Sequence, residues 1–175
     1  GLKDKDGLWT AYMTNVMVSA YNTRQVKKDE APRSVEDLLK PRWKGKLTMD
    51  SQSYVWFGTM MQYLGEEAGQ RFMKRLSEQN ISHQRGRRLM TQLVAAGEFD
   101  MAVETNLNSV LTLSKAGAPL AFAPSQPYFL SPSLVFMSAN APHPYTGALF
   151  VDYLLSEEGQ KIVVTTNRMP ANNKV

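Results

Sequence analysis

The feature that most constrains the fold is the alternation of short apolar strands with helices along most of the chain. Apolar and β-branched runs predict the strands, and apolar residues at spacings of three and four predict the helices. The predicted strands are residues 9–22, 46–49, 81–84, 99–104, 120–123 and 134–138, and the predicted helices are residues 34–39, 54–64, 66–79, 87–96, 106–116, 145–155 and 157–167. This order is typical of an α/β protein with a largely parallel sheet.

Ligands of open α/β sheets gather beyond the carboxyl ends of the strands, where the helices begin. That rule selects three junctions, at residues 50–54, 84–88 and 104–108. The first contains Ser51, Ser53 and Tyr54. Their hydroxyls, with the free backbone N–H groups at a helix start, suit an anion or another polar ligand. Ser53 could also serve only as the N-cap of its helix, and one serine can do both.

The second and third junctions carry charge. Arg85 and Arg87 flank Gly86 at a helix start. Cations are unfavourable at the positive end of a helix dipole, so their placement indicates an anionic partner such as a carboxylate or a phosphate. The alternative is that these arginines are solvated and pair with surface acids. At the third junction Glu104 and Asn106 are candidate polar contacts, although Asn106 could simply cap the helix that follows.

Composition excludes several classes of function. The 175 residues contain no cysteine, which removes disulfides, thiolate nucleophiles and cysteine-based zinc sites. The net charge is +4, but the one dense basic cluster, residues 85–88, lacks interleaved aromatic residues, so no nucleic-acid partner is expected. No apolar run approaches the roughly 20 residues of a membrane helix.

The residues predict neither a catalytic site nor a metal site. His83 and His143 are the two histidines, and neither has acidic neighbours at ligand spacing. No spacing supports a Ser-His-Asp triad or a pair of catalytic carboxylates. The chain is therefore not expected to be an enzyme, and no cofactor is expected.

Four segments carry a family resemblance. They are YNT at 21–23, SVEDLLKPRWKGKLTMD at 34–50, LVAAGEFDMAV at 93–103 and APHPYTGALFVDYLLSEEGQKIVV at 141–164. In this order and at these spacings they resemble the solute-binding proteins of bacterial ABC importers, in the branch that contains the ferric-iron binders. In that branch two adjacent tyrosines coordinate the metal, and the matching positions here are Leu107 and Asn108. Direct ferric binding through a tyrosine pair is therefore not expected.

The resemblance implies a type II periplasmic binding fold of two α/β lobes. Residues 1–21 would be the crossover strand, residues 22–120 the second lobe, and residues 121–175 the return strand and helix pair of the first lobe. Most of the first lobe would then be missing, and the chain is interpreted as a C-terminal fragment. Apolar residues within 134–137 and 149–155 would lack their partner lobe, so the fragment could self-associate.

The implied function is that of a solute receptor in the periplasm or another extracytoplasmic space, with the signal peptide not in this chain. The receptor would close its lobes around a small polar solute, anionic or metal-complexed, and deliver it to a membrane permease. The sequence leaves two rivals open. One is a ligand-sensing domain of a transcription regulator with the same fold, and the other is an unrecognised α/β enzyme.

Overall fold

The computed structural model of the chain describes residues 2–172 and 174–175. The strands are β1 (Thr10–Asn22), β2 (Leu47–Asp50), β3 (Ser82–Gln84), β4 (Met101–Asn106), β5 (Leu120–Phe122), β6 (Phe129–Val135) and β7 (Met169–Pro170). The helices are α1 (Tyr54–Leu64), α2 (Glu66–Ser77), α3 (Arg87–Ala96), α4 (Leu107–Lys115), α5 (Pro144–Leu155) and α6 (Glu157–Thr165). Two short 3-10 helices, Val35–Leu39 and Pro41–Trp43, precede β2. This order confirms the predicted α/β class.

Packing divides the chain into two compact units, which are described separately. The central unit is residues 17–129, and the terminal unit is residues 1–16 together with residues 130–175. Strand β1 contributes residues to both units. Among the described residues, no helix is both long and apolar enough to cross a membrane.

The sheet of the central unit has the strand order β3-β2-β4-β1-β5. Strand β2 runs parallel to β3 and β4, whereas β1 runs antiparallel to β4 and β5. The expectation of a largely parallel sheet is therefore wrong, since parallel pairing in this unit is confined to three strands. The reason is that β1 is inserted between β4 and β5 in the opposite direction. Helix α4 joins β4 to β5, as expected for parallel strands, but the strand between them comes from the start of the chain.

A hydrophobic core fills the central unit, and its largest fully buried side chains include Leu38, Trp43, Leu47 and Met60. Trp43 packs within this core, because its side chain is 1% exposed. The Arg42 guanidinium lies over the face of the Trp43 ring, 4.3 Å from its centroid.

In the terminal unit, β1 pairs antiparallel with β7, and β6 also pairs with β1. Strand β6 begins at Phe129, not at residue 134 as predicted. Pro132 argues against a strand interior, but β6 has β1 as its one neighbour among the described strands, and edge strands tolerate proline. The predicted helix pair is confirmed. Ser156 caps α6, since its Oγ accepts a hydrogen bond from the N–H of Gly159 at 3.2 Å.

Candidate functional site

The three predicted junctions lie side by side at one edge of the central sheet. Strand β2 is the middle strand of the parallel group β3-β2-β4, and α1, α3 and α4 begin shortly beyond these three strands. The backbones of the first two junctions are joined, since the N–H of Ser51 donates to the carbonyl of Gln84 at 2.8 Å. The sheet therefore brings three helix N-termini together, as the strand-end rule predicts.

Glu104 is the buried centre of this edge. Its side chain is 1% exposed, and its carboxylate accepts hydrogen bonds from Ser53 and Arg87. The Arg87 Nε–H is shared between the two carboxylate oxygens, at 2.9 and 3.1 Å. Ser53 does not cap α1 with its side chain, because its hydroxyl donates to Glu104. Glu104 therefore ties the starts of α1 and α3 to the end of β4.

Asp50, the last residue of β2, is a second carboxylate at this edge. It is 6% exposed, and its Oδ1 accepts from the backbone N–H groups of Gln52 at 3.1 Å and Gly86 at 3.4 Å. Its Oδ2 lies 4.0 Å from Arg87 Nη1. The sequence prediction included this junction but passed over Asp50. The signal that could have found it is an acid at the end of a short apolar strand, where a carboxylate can bind the N–H groups of two neighbouring turns.

Arg87 uses one of its nitrogens within the protein. Its Nε bonds Glu104, whereas Nη1 and Nη2 donate no hydrogen bond to any residue that the structure describes. The side chain is 30% exposed. The guanidinium is thus fixed on its Nε side and open on its Nη side, which is the geometry required to hold an oxygen pair of an anion.

The remaining predicted residues belong to the same three junctions. Ser51 and Gly86 are exposed, and Tyr54 is exposed at the first position of α1. Asn106 is half-buried before α4 and does not cap that helix with its side chain. Arg85 is exposed and forms no ion pair with the described part of the chain. Of the arginine cluster, Arg87 is therefore the member whose anionic partners, Glu104 and Asp50, are supplied by the chain itself.

What this edge can do chemically is bind a polar or anionic group. The Arg87 guanidinium, whose Nη1 and Nη2 donate no hydrogen bond to the described residues, stands beside the carboxylate of Asp50, and three helices begin at the same edge. Within residues 2–172 and 174–175, no group of three or more His, Asp or Glu side chains is placed to hold a metal ion.

A family model described as "Bacterial extracellular solute-binding protein" matches residues 1–175. The chain belongs to this family. The Fe(3+)-binding periplasmic protein of Serratia marcescens is 25% identical to this family member over 173 residues, a match that covers 92% of this chain and 50% of that protein. Iron uptake protein A1 of Synechocystis is also 25% identical and is matched over 50% of its length. The chain thus spans about half the length of the curated relatives it matches.

Solved structures share the fold of this family member. AfuA from Actinobacillus pleuropneumoniae, solved with exogenous fructose-6-phosphate bound, aligns with a TM-score of 0.83 at 26% identity, over 99% of this chain and 58% of that one. Iron-bound HitA from Pseudomonas aeruginosa aligns with a TM-score of 0.84 at 23% identity, over 99% of this chain and 59% of that one. At this identity the likeness supports the fold and nothing further. The type II periplasmic binding fold and the resemblance to ferric-iron binders are confirmed. The family match favours a binding protein over the regulator domain and over an enzyme.

Proposed function

We propose that this chain forms the solute-binding part of an ABC-importer receptor and that its solute is a small anion held at Arg87. The observation that carries the proposal is the state of that side chain, whose Nε is fixed by buried Glu104 while Nη1 and Nη2 donate no hydrogen bond to the residues that the structure describes. A guanidinium held in this way loses little rotamer freedom when it binds an anion, which favours affinity. No catalytic step is part of the proposal.

The receptor mechanism would be lobe closure. Residues 22–120, with the Arg87 site, would act as the second lobe, and residues 121–175 would belong to the first lobe, with residues 1–21 crossing between them. Binding of the solute at the second lobe would then favour the closed state, because the solute contacts both lobes only when they are closed. The partner of the closed receptor would be the permease of an importer, in the periplasm or its equivalent.

Two relatives bear on the nature of the solute. AfuA has been solved with fructose-6-phosphate, and the Serratia relative is named for Fe(3+). In this chain the positions expected to carry the tyrosine pair are Leu107 and Asn108, which offer no anionic oxygen. Ferric iron is a hard cation and prefers anionic oxygen ligands. We therefore infer an organic anion in preference to a bare ferric ion.

Substitution of Arg87 tests the proposal. Arg87→Lys keeps a positive charge to pair with Glu104, but its single ammonium leaves no free fork for a solute. We expect this variant to fold and to bind fructose 6-phosphate and inorganic phosphate about ten- to a hundredfold more weakly than the parent, the loss typical of a charge-assisted contact. NMR titration of the backbone amides of residues 86–89 measures the dissociation constants.

The control for this experiment is Arg71→Ala. Arg71 is an exposed arginine on α2 that pairs with Glu67 at 3.5 Å, away from the three junctions. The Arg71→Ala variant should bind fructose 6-phosphate and inorganic phosphate with the affinities of the parent. Equal affinities for the parent and Arg87→Lys would show that the arginine at this edge is structural and would contradict the anion site.

A further inference from the structure

Asp50 carries an acceptor that the chain leaves unused. The residue is 6% exposed, and its Oδ1 accepts from the N–H groups of Gln52 and Gly86. Its Oδ2 accepts no hydrogen bond from the residues that the structure describes. This oxygen is not among the fully buried atoms that lack a partner, so it keeps some contact with solvent and can be reached from outside the chain. Water or a hydroxyl group of a solute can therefore supply the donor that the chain does not.

Arg87 does not fill that role. Its Nη1 lies 4.0 Å from Asp50 Oδ2. This separation exceeds the range of about 2.7–3.2 Å for an N–H···O hydrogen bond. Glu104 holds the Nε of the same guanidinium, so Arg87 cannot move onto Asp50 without loosening its bonds to Glu104. A free donor and a free acceptor therefore face each other across a gap.

A hydroxyl group matches this gap. It has one O–H donor and two acceptor lone pairs, so it can donate to Asp50 and accept from Arg87 at the same time. If a hydroxyl oxygen lay about 2.8 Å from both Arg87 Nη1 and Asp50 Oδ2, the angle between these two atoms at that oxygen would be about 90°. This angle is within the broad range found for hydroxyl hydrogen bonds. An ionised carboxylate or phosphate oxygen brings no proton for Asp50, and an ammonium group brings no acceptor for Arg87.

We propose that Asp50 and Arg87 together bind a hydroxyl group of the solute, and that the solute is a hydroxylated organic anion. The anionic group of the solute uses the remaining N–H donors of Arg87, and the hydroxyl bridges Arg87 to Asp50. This inference rests on the proposed function, since it takes the Arg87 site as the solute site, and it adds the chemical class of the solute. Polyol phosphates and hydroxy acids share this chemistry.

Two matched ligand pairs test the inference by NMR titration of the whole 175-residue chain. Glycerol 3-phosphate and propyl phosphate differ in their hydroxyl groups and share a phosphate, whereas glycerate and propionate do the same for a carboxylate. We expect the chain to bind the hydroxylated member of a pair about ten- to a hundredfold more tightly than the plain member. The pair with the larger ratio identifies the anionic group of the solute.

Asp50→Asn is the decisive variant. Asparagine keeps an Oδ1 acceptor for the N–H groups of Gln52 and Gly86, so the turn is retained, but it replaces the free acceptor with an NH₂ donor. The affinity ratio within each pair should fall to about one, while binding of the plain anion persists. Asp100→Asn is the matched control. Asp100, just before β4, is also a buried acid, but its carboxylate pairs with Lys46. The Asp100→Asn variant should keep the ratio of the parent.

The outcomes separate this inference from the proposed function. Equal binding of both members of each pair by the parent would mean that water alone fills the gap, and would overturn the hydroxyl inference while the anion site stands. A ratio that survives in Asp50→Asn would overturn it in the same way. If none of the four ligands shifts the amides of residues 86–89 at millimolar concentration, the anion site itself fails, and the hydroxyl inference fails with it.

Discussion

At the scale of single residues, the charged side chains act through the groups that hold them. Glu104 is buried with Arg87 as its compensating charge. Removal of one partner from such a pair typically costs about 3–5 kcal/mol, because the other charge is left without compensation. Asp37, nearer the surface, is a carboxylate that is also held by donors of the chain. Its Oδ2 accepts hydrogen bonds from the N–H groups of Arg33 at 2.9 Å and Ser34 at 3.3 Å.

Asp37 gives a test that depends on pH. The hydrogen bond from Lys40, and then those from the backbone of Arg33 and Ser34, lower the pKa of Asp37 in the folded chain below its ordinary value of 3.8. The resulting stabilisation is complete above the unfolded-state pKa and is lost as the pH falls through the folded-state pKa. We expect Asp37→Asn to unfold at a lower urea concentration than the parent at pH 7, and the difference to shrink below about pH 3.8.

The control for Asp37 is Glu36→Gln, a change at an exposed acid in the same 3-10 helix. Its difference from the parent at pH 7 should stay within the roughly 0.5 kcal/mol that is usual for surface substitutions. A parent-to-Asp37→Asn difference that is the same at pH 7 and at low pH would show that the carboxylate charge does not carry the stabilisation.

Sequence alone predicted part of the candidate site. Glu104 and Arg87 could be selected because each stands where a strand meets a helix, and that position depends on local order. That they bond each other could not be predicted, because the contact depends on β2 lying between β3 and β4. Ser53 was left between binding a ligand and capping α1. Its hydroxyl instead donates to Glu104, a carboxylate on another strand, and no local signal reports that contact.

At the scale of secondary-structure elements, the turn between α5 and α6 depends on close packing. A Cβ on Gly159 would collide with the carbonyl oxygen of Tyr153 and lie 3.1 Å from the Cα of Leu154. The next residue, Gln160, is fully buried, and its Nε2 donates to the carbonyls of Leu154 at 2.8 Å and Tyr12 at 2.9 Å. Backbone atoms form these contacts, so the turn cannot relax by moving one flexible side chain.

Gly159→Ala should therefore destabilise the chain. We expect the free energy of unfolding to fall by about 1–3 kcal/mol, the usual cost of overpacking a tight contact. Gly58→Ala is the matched control, since Gly58 lies inside α1 with no atom within 4 Å of a new Cβ. That change should stabilise the chain by about 0.5–1 kcal/mol. Urea unfolding followed by circular dichroism compares the two, and a Gly159→Ala variant as stable as the parent would contradict the prediction.

The elements that the sequence predicted well are those with strong local signals. Helix α3 begins and ends as predicted, because a stripe of apolar residues stops at Gly97, which adopts a φ of 92° suited to glycine. The start of β6 and the two-residue strand β7 were missed. Both are defined by pairing with β1 across more than a hundred residues of chain, and no local periodicity reports such pairing.

At the scale of the whole molecule, the terminal unit exposes much apolar surface. Helix α5 has twelve residues and none of them is buried. Tyr145, Leu149 and Phe150 on that helix are 90%, 70% and 60% exposed, and Phe136 after β6 is 70% exposed. Residues of α5, β6 and the start of β1 also line a groove of about 560 Å³. Apolar patches of this kind mark surfaces that another protein surface covers.

We therefore expect the chain to self-associate through α5. A contact that covers about 400 Å² of apolar surface would contribute on the order of 10 kcal/mol before the entropic cost of association, which is enough to hold two copies together at micromolar concentration. Light scattering should give a molar mass that rises above 19.7 kDa with concentration. Leu149→Lys with Phe150→Glu should return it to that value, because charges at these positions oppose burial. The control variant Tyr63→Lys, which changes an exposed residue of α1, should leave the rise of molar mass with concentration unchanged. If the parent chain stays monomeric at about 50 μM, the apolar face of α5 is stable in contact with water. That result would contradict the predicted self-association through α5.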